Sequence, residues 1–174
     1  MNIEYRQEYE PELTAKVRAR FADEMNRLRA FGFSDFGCYS ELLPNYSLFT
    51  HFIIFLLAKA NREIIRVESP LRLVMSQPLL VQREQSTYAL VFGMGVKFYT
   101  LFTDGTGLIS ANFPSRLIQD MQRKLYKYAQ PCSLDECWRA HQSEILSFQQ
   151  RGLQLDVGHS FEKYVAISRR EELA

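Results

Sequence analysis

VKFYTLFTDGTGLISAN, residues 96–112, is the stretch that decides the fold. Two runs rich in β-branched and aromatic residues, Val96–Thr103 and Thr106–Asn112, flank the pair Asp104-Gly105. Asp-Gly supplies the positive φ values that a tight hairpin of the favoured hand requires, so the runs read as antiparallel neighbours joined by a two-residue turn. Just upstream, Ser86–Phe92 is another apolar run, tied to Val96 by Gly93-Met94-Gly95 alone. A parallel pair needs a crossover of about a dozen residues, so three residues allow only a hairpin.

Working outward, Phe33–Leu43 reads as a strand with a bulge near Gly37, where the alternation falters. Pro44-Asn45 is a turn signal, and Leu48–Ala58 is long and apolar enough for a buried strand or a buried helix, with its Thr50, Phe52, Ile53, Ile54 and Phe55 content favouring the strand. Arg62–Glu68 and Leu71–Gln77 are further strands split by Ser69-Pro70. In Arg116–Ala129, the half Gln122–Tyr128 alternates Lys124, Tyr126 and Tyr128 against Arg123, Leu125 and Lys127, the pattern of an edge strand guarded by lysines.

Helical patterning is confined to the ends. Pro11–Phe31 carries Leu13, Val17, Phe21, Met25 and Leu28 at helical spacing, and Gly32 follows as a terminator. Ser133 and Glu136 form a capping box ahead of Leu134, Trp138, His141, Ile145 and Phe148, which share one face before Gly152. A last helix is expected over Phe161–Glu172, capped by Ser160. The fold class is α+β: an N-terminal helix, an antiparallel meander of about six strands, and C-terminal helices packed on one sheet face, in a single domain over 1–174.

Three stretches carry a resemblance: Gly32-Phe33 with Phe36-Gly37 after an amphipathic helix, Phe102–Asn112 around the Asp-Gly turn, and the Ser133–Glu144 helix start with His141. Over residues 13–150 the chain resembles a loose group of bacterial proteins built of a helix, a β-meander and a further helix. The resemblance implies the fold and no activity.

With 47% apolar residues, the 174-residue chain has enough material for one core. Its 21 basic and 20 acidic residues leave a net charge of +1, which provides no global field for nucleic acid or anionic lipid. Three cysteines, an odd count, and a polar Met1–Glu10 lacking an apolar signal core read as a cytoplasmic protein. The most apolar run, Phe52–Ala58, falls far short of the roughly 20 residues of a membrane span.

Cys132, Cys137 and His141 are the one cluster of metal-ligand types. Cys137 and His141 lie four apart on a helix and share a face, and three ligands plus water would make an open zinc site. The spacing Cys-x4-Cys-x3-His is uncommon for zinc, and His141 falls on the apolar stripe, so the packed-core reading is preferred and no metal or cofactor is assigned. Cys38 with His51, His141 or His159 is the candidate nucleophile–base pair, weighed against a plain buried thiol. Neither glycine-rich turn ends in the lysine and hydroxyl of a phosphate loop. Basic residues on the first helix (Lys16, Arg18, Arg20, Arg27, Arg29) and the Arg123–Tyr128 run could grip single-stranded nucleic acid, but acids interrupt both.

No constellation of nucleophile, base and oxyanion donors is visible. The expected function is therefore a non-enzymatic binding or interaction module. It would hold an apolar small molecule or a protein partner, or self-associate through a sheet face or edge. The alternatives are a small hydrolase or transferase using Cys38 or the Cys132/Cys137/His141 cluster, and a single-stranded nucleic-acid binder. Whether the 13 Phe and 9 Tyr line a pocket or fill a solid core is left open.

Overall fold

Side chains alternate across a strand, so each central run sorts its residues into two opposed sets, and both sets are apolar here. A sheet built from such strands must be covered on both faces, as the computed structural model shows. It describes residues 3–43, 56, 64–68, 72–122 and 124–174. The Pro44-Asn45 turn, His51 and the strand expected over Leu48–Ala58 lie outside the described residues, apart from Leu56, which is helical rather than extended.

Among the described residues nine strands form one sheet: β1 Glu4–Glu8, β2 Ser34–Leu42, β3 Ile64–Glu68, β4 Arg72–Gln82, β5 Thr87–Phe92, β6 Gly95–Leu101, β7 Gly107–Ala111, β8 Ile118–Asp120 and β9 Leu125–Ala129. Their order is β1-β2-β4-β5-β6-β7-β9-β8, with β3 also paired to β4. Toward the termini, the described residues form the helices α1 Pro11–Arg20, α2 Ala22–Ala30, α3 Leu134–Gln150 and α4 Phe161–Leu173. The α+β class, the largely antiparallel sheet and the terminal helices are as expected.

Several details differ from expectation, each for a physical reason. The sheet has nine strands rather than about six, partly because the polar Glu4–Glu8 segment pairs with β2 as an edge. Strand β4 runs through Pro78, which pairs with Cys38. On its other side the described pairs with β3 reach Ile64↔Ser76, and those with β5 begin at Leu79↔Leu90. The Asp104-Gly105 hairpin closes through three residues, Thr103–Gly105. Phe102 N–H donates to the Thr106 carbonyl, and Gly105 N–H, at φ +85°, donates to the Phe102 carbonyl. Strand β9 is not an edge: it pairs in parallel with β7 and antiparallel with β8. The expected first helix bends at Phe21 into α1 and α2.

The C-terminal helices are divided between the faces. Leu80, Ala89, Val91, Val96 and Phe98 meet α1, α2 and the start of α3 through Val17, Met25, Leu28 and Trp138. On the opposite face Tyr39, Tyr88, Leu90, Tyr99 and Ile109 meet Tyr164 and Ile167 of α4. Even and odd positions of β5 and β6 thus each own a helix layer. Phe33, Phe98 and Trp138 pack with ring centroids 5.0–5.7 Å apart. Burying each such ring contributes about 1.5–3 kcal/mol. Tyr39, Tyr88, Tyr99, Tyr164, Phe98 and Phe102 are all fully buried. Among the described residues no helix is long and apolar enough to cross a membrane.

Candidate functional site

His141 anchors the α3 side of the sheet. It is fully buried, flanked by Phe98 and Trp138, and both ring nitrogens are taken. Nε2 lies 2.9 Å from Thr100 Oγ1, and Nδ1 lies 2.8 Å from Ser110 Oγ. The proton positions follow along the chain of hydroxyls. Thr87 donates to the Gln85 carbonyl, so at 2.7 Å it must accept from Thr100. Thr100 has then spent its only proton and must accept from Nε2–H, which leaves Nδ1 to accept from Ser110. Burial drives the His141 pKa down to about 3, so the ring is neutral at ordinary pH.

Beside Ser110 opens a pocket of about 360 Å³, bounded by β7, β9 and the first turns of α3. Ala111, Leu117, Ala129 and Ala140 give it apolar walls, with Cys132 and Cys137 at the helix start. Ser110, Tyr128, Gln130 and Glu144 are its polar groups. Cys137, Ala140 and Glu144 reach it because intervals of three and four keep them on one face of α3. The capping box holds that helix start: Glu136 N–H donates to Ser133 Oγ, and Ser133 N–H donates to Glu136 Oε2 at 2.9 Å.

The residues singled out in the sequence scatter between sites. Cys132 and Cys137 line the pocket, and His141 lies beneath it through Ser110, but its nitrogens face hydroxyls rather than thiols. Among the described residues, no three His, Cys, Asp or Glu side chains come together as metal ligands do. Burial pushes the Cys137 thiol up to about 12 and raises Cys132 as well. Cys38 is buried in the layer between the sheet and the N-terminal helices, its thiol pushed up to about 11 by burial. His159 packs instead on Tyr88, on the opposite face. Three of the basic candidates are held in ion pairs: Arg18 with Asp35, Arg27 with Asp135, and Lys124 with Asp104. Arg123 lies outside the described residues.

A second cluster, which the sequence reading missed, sits on the α4 face. Glu171 accepts from Lys97 Nζ at 2.9 Å and from Lys127, which also donates to Ser115. Burial alone would raise the Glu171 pKa, but the two ammonium groups outweigh it and hold it below the usual value. Tyr164 donates to Tyr39 at 2.7 Å, and Tyr39 donates to Glu41 at 2.7 Å. Burial raises the Glu41 carboxyl. Glu41, Lys97, Lys127 and Glu171 border a cleft of about 230 Å³ that also touches Ile3 and Tyr5 near one end of the strand order and Ile118 at the other, so the sheet curls around α4. The only sequence signal for this cluster was a lysine alternating with tyrosines, which reads equally well as an exposed edge.

Compared with protein families, curated proteins and solved structures, the chain matches none.

Proposed function

We propose that the protein is a non-enzymatic binding module that holds a small apolar molecule in the pocket between α3 and strands β7 and β9. The carrying observation is that pocket: about 360 Å³, at the low end of the small-molecule range, with apolar walls and a few polar groups at fixed positions. Ser110 offers a hydroxyl, and the carboxylate of Glu144 favours ligands with a neutral or cationic end over acids.

Support also comes from the state of the reactive groups. Thiols held above their ordinary range are weak nucleophiles at neutral pH. A histidine titrating near 3 is a poor general base. Ser110 donates to that histidine, yet it sits in mid-strand between β6 and β9, in ladder register with Phe98 and Tyr128. Its neighbouring amides serve the sheet rather than a developing oxyanion. Self-association through a sheet face is less favoured, because helices cover both faces.

The test is thermal unfolding with a panel of medium-chain alcohols, amines and carboxylic acids, on the wild type and on Ala140→Trp, which fills the pocket from the helix side. Alcohols or amines should stabilise the wild type by about 2.7 kcal/mol at a hundredfold excess over Kd. They should leave Ala140→Trp unmoved. A panel without effect, or a shift that survives in Ala140→Trp, overturns the reading.

A further inference from the structure

The first residue before a helix N-cap and the fourth residue after it are the positions whose side chains meet in a hydrophobic staple. In α3 the N-cap is Ser133, so these positions are Cys132 and Cys137. The staple of this helix is therefore made of two thiols. The structure keeps the two side chains in one place: both line the same pocket, and both belong to or pack against the same apolar cluster. Side chains at staple positions turn toward each other, the arrangement from which a disulfide with Cβ atoms about 3.5–4.5 Å apart can close. The reciprocal Ser133–Glu136 bonds fix the short loop between them. Exposure is unequal, as in pairs that react in sequence: Cys132 is partly exposed and Cys137 is buried. The third cysteine, Cys38, is buried on β2 with Arg18, Asp35 and Glu8 as its charged neighbours, and takes no part.

We infer that Cys132 and Cys137 are a reversible dithiol–disulfide pair at the mouth of the pocket, closed by exchange with a small-molecule disulfide. Cys132, as thiolate, attacks one sulfur of the oxidant and expels one thiolate, leaving a mixed disulfide on Cys132. Cys137 gives up its proton and attacks the Cys132 sulfur, expelling the second small thiolate. The balance is one small disulfide reduced to two thiols and two protein thiols oxidised to one disulfide, with both protons carried by the released thiols. Because both thiols are held above their ordinary range, the first attack is slow at neutral pH and quickens as pH rises. Closure locks the start of α3 covalently and removes both S–H groups from the pocket wall. Any effect on ligand affinity rests on the binding reading above, whereas closure itself does not.

The experiment uses the full chain, oxidised glutathione at neutral and mildly alkaline pH, and alkylation after denaturation. Both cysteines fall in one tryptic peptide, Tyr128–Arg139. The expected product is that peptide lighter by two hydrogen atoms, refractory to alkylation and restored by a thiol reductant, with Cys38 still alkylated. Cys137→Ser should stop at glutathione on Cys132. Two outcomes overturn the inference: wild type that also stops at the mixed disulfide with Cys137 alkylated, or wild type whose cysteines all remain alkylatable at alkaline pH. Neither readout involves a ligand, so failure here is distinct from failure of the pocket reading.

Discussion

His141 shows how a side chain that looks like chemistry serves packing. Its ring lies between Phe98 and Trp138, and its two nitrogens bridge a hydrogen-bonded chain running from the Gln85 carbonyl through Thr87 and Thr100 to Ser110. The folded-state pKa, about 3, lies below the ordinary 6.5, and the sign of the linkage follows. Between those values the unfolded chain binds a proton that the native ring refuses, so native stability rises with pH across that window and falls on acidification. The slope from this one group approaches about 1.4 kcal/mol per pH unit. His141→Leu should cost about 2–4 kcal/mol at neutral pH, since it leaves Ser110 and Thr100 short of partners and changes the ring packing. It should also flatten the pH dependence between 3 and 6.5. Urea unfolding of both proteins at several pH values checks this, and an unchanged slope would show that the ring takes up its proton without unfolding.

The β5–β6 hairpin depends on a glycine and a side chain from outside it. Gly95 sits at φ +150°, and a Cβ there would fall 2.2 Å from Asn112 Oδ1 and 3.0 Å from Phe113 Cδ1. That same Asn112 oxygen accepts the Val96 N–H at 2.7 Å, closing the end of the hairpin. Gly95→Ala must evict Asn112 and forfeit the bond, at a cost of about 1–3 kcal/mol. Asn112→Ala should cost a similar amount, and the double variant less than the sum of the two, because both lose one interaction. Additivity to within about 0.3 kcal/mol in urea melts would refute the coupling. The hairpins of residues 86–112 were legible because their turn chemistry is local: Gly93–Gly95 and Asp104-Gly105 announce themselves without knowledge of the rest. The α3 start was legible for the same reason, through Ser133 and Glu136. Strand β1 was not, since its residues are polar and its only warrant is the free edge of β2. The parallel placement of β9 was hidden too, because it depends on a partner strand rather than on its own alternation. The pocket draws on residues from Ser110 to Glu144, and no local window shows those walls converging.

Across the whole molecule, α4 is held to the curled sheet by a buried charge cluster as well as by Tyr164 and Ile167. Lys127 is 5% exposed, and its positive charge is tolerable there because Glu171 accepts from it and from Lys97. Desolvation lowers the Lys127 pKa, and Glu171 opposes that shift. Glu171→Gln would leave a buried ammonium without a counter-charge, which costs about 3–5 kcal/mol in comparable sites. Adding Lys127→Met should recover much of the loss, because an apolar side chain of similar length removes the stranded charge. The pH dependence separates this account from simple loss of packing. The native Glu171 pKa is depressed, so its contribution is fully present above the unfolded carboxyl value of 4.5 and fades as pH falls through the lower native value. The stability difference between wild type and Glu171→Gln should therefore narrow as pH drops below 4.5. A difference that stays constant from neutral pH into that acid range would mean that the Glu171 carboxylate does not bind α4 through its charge.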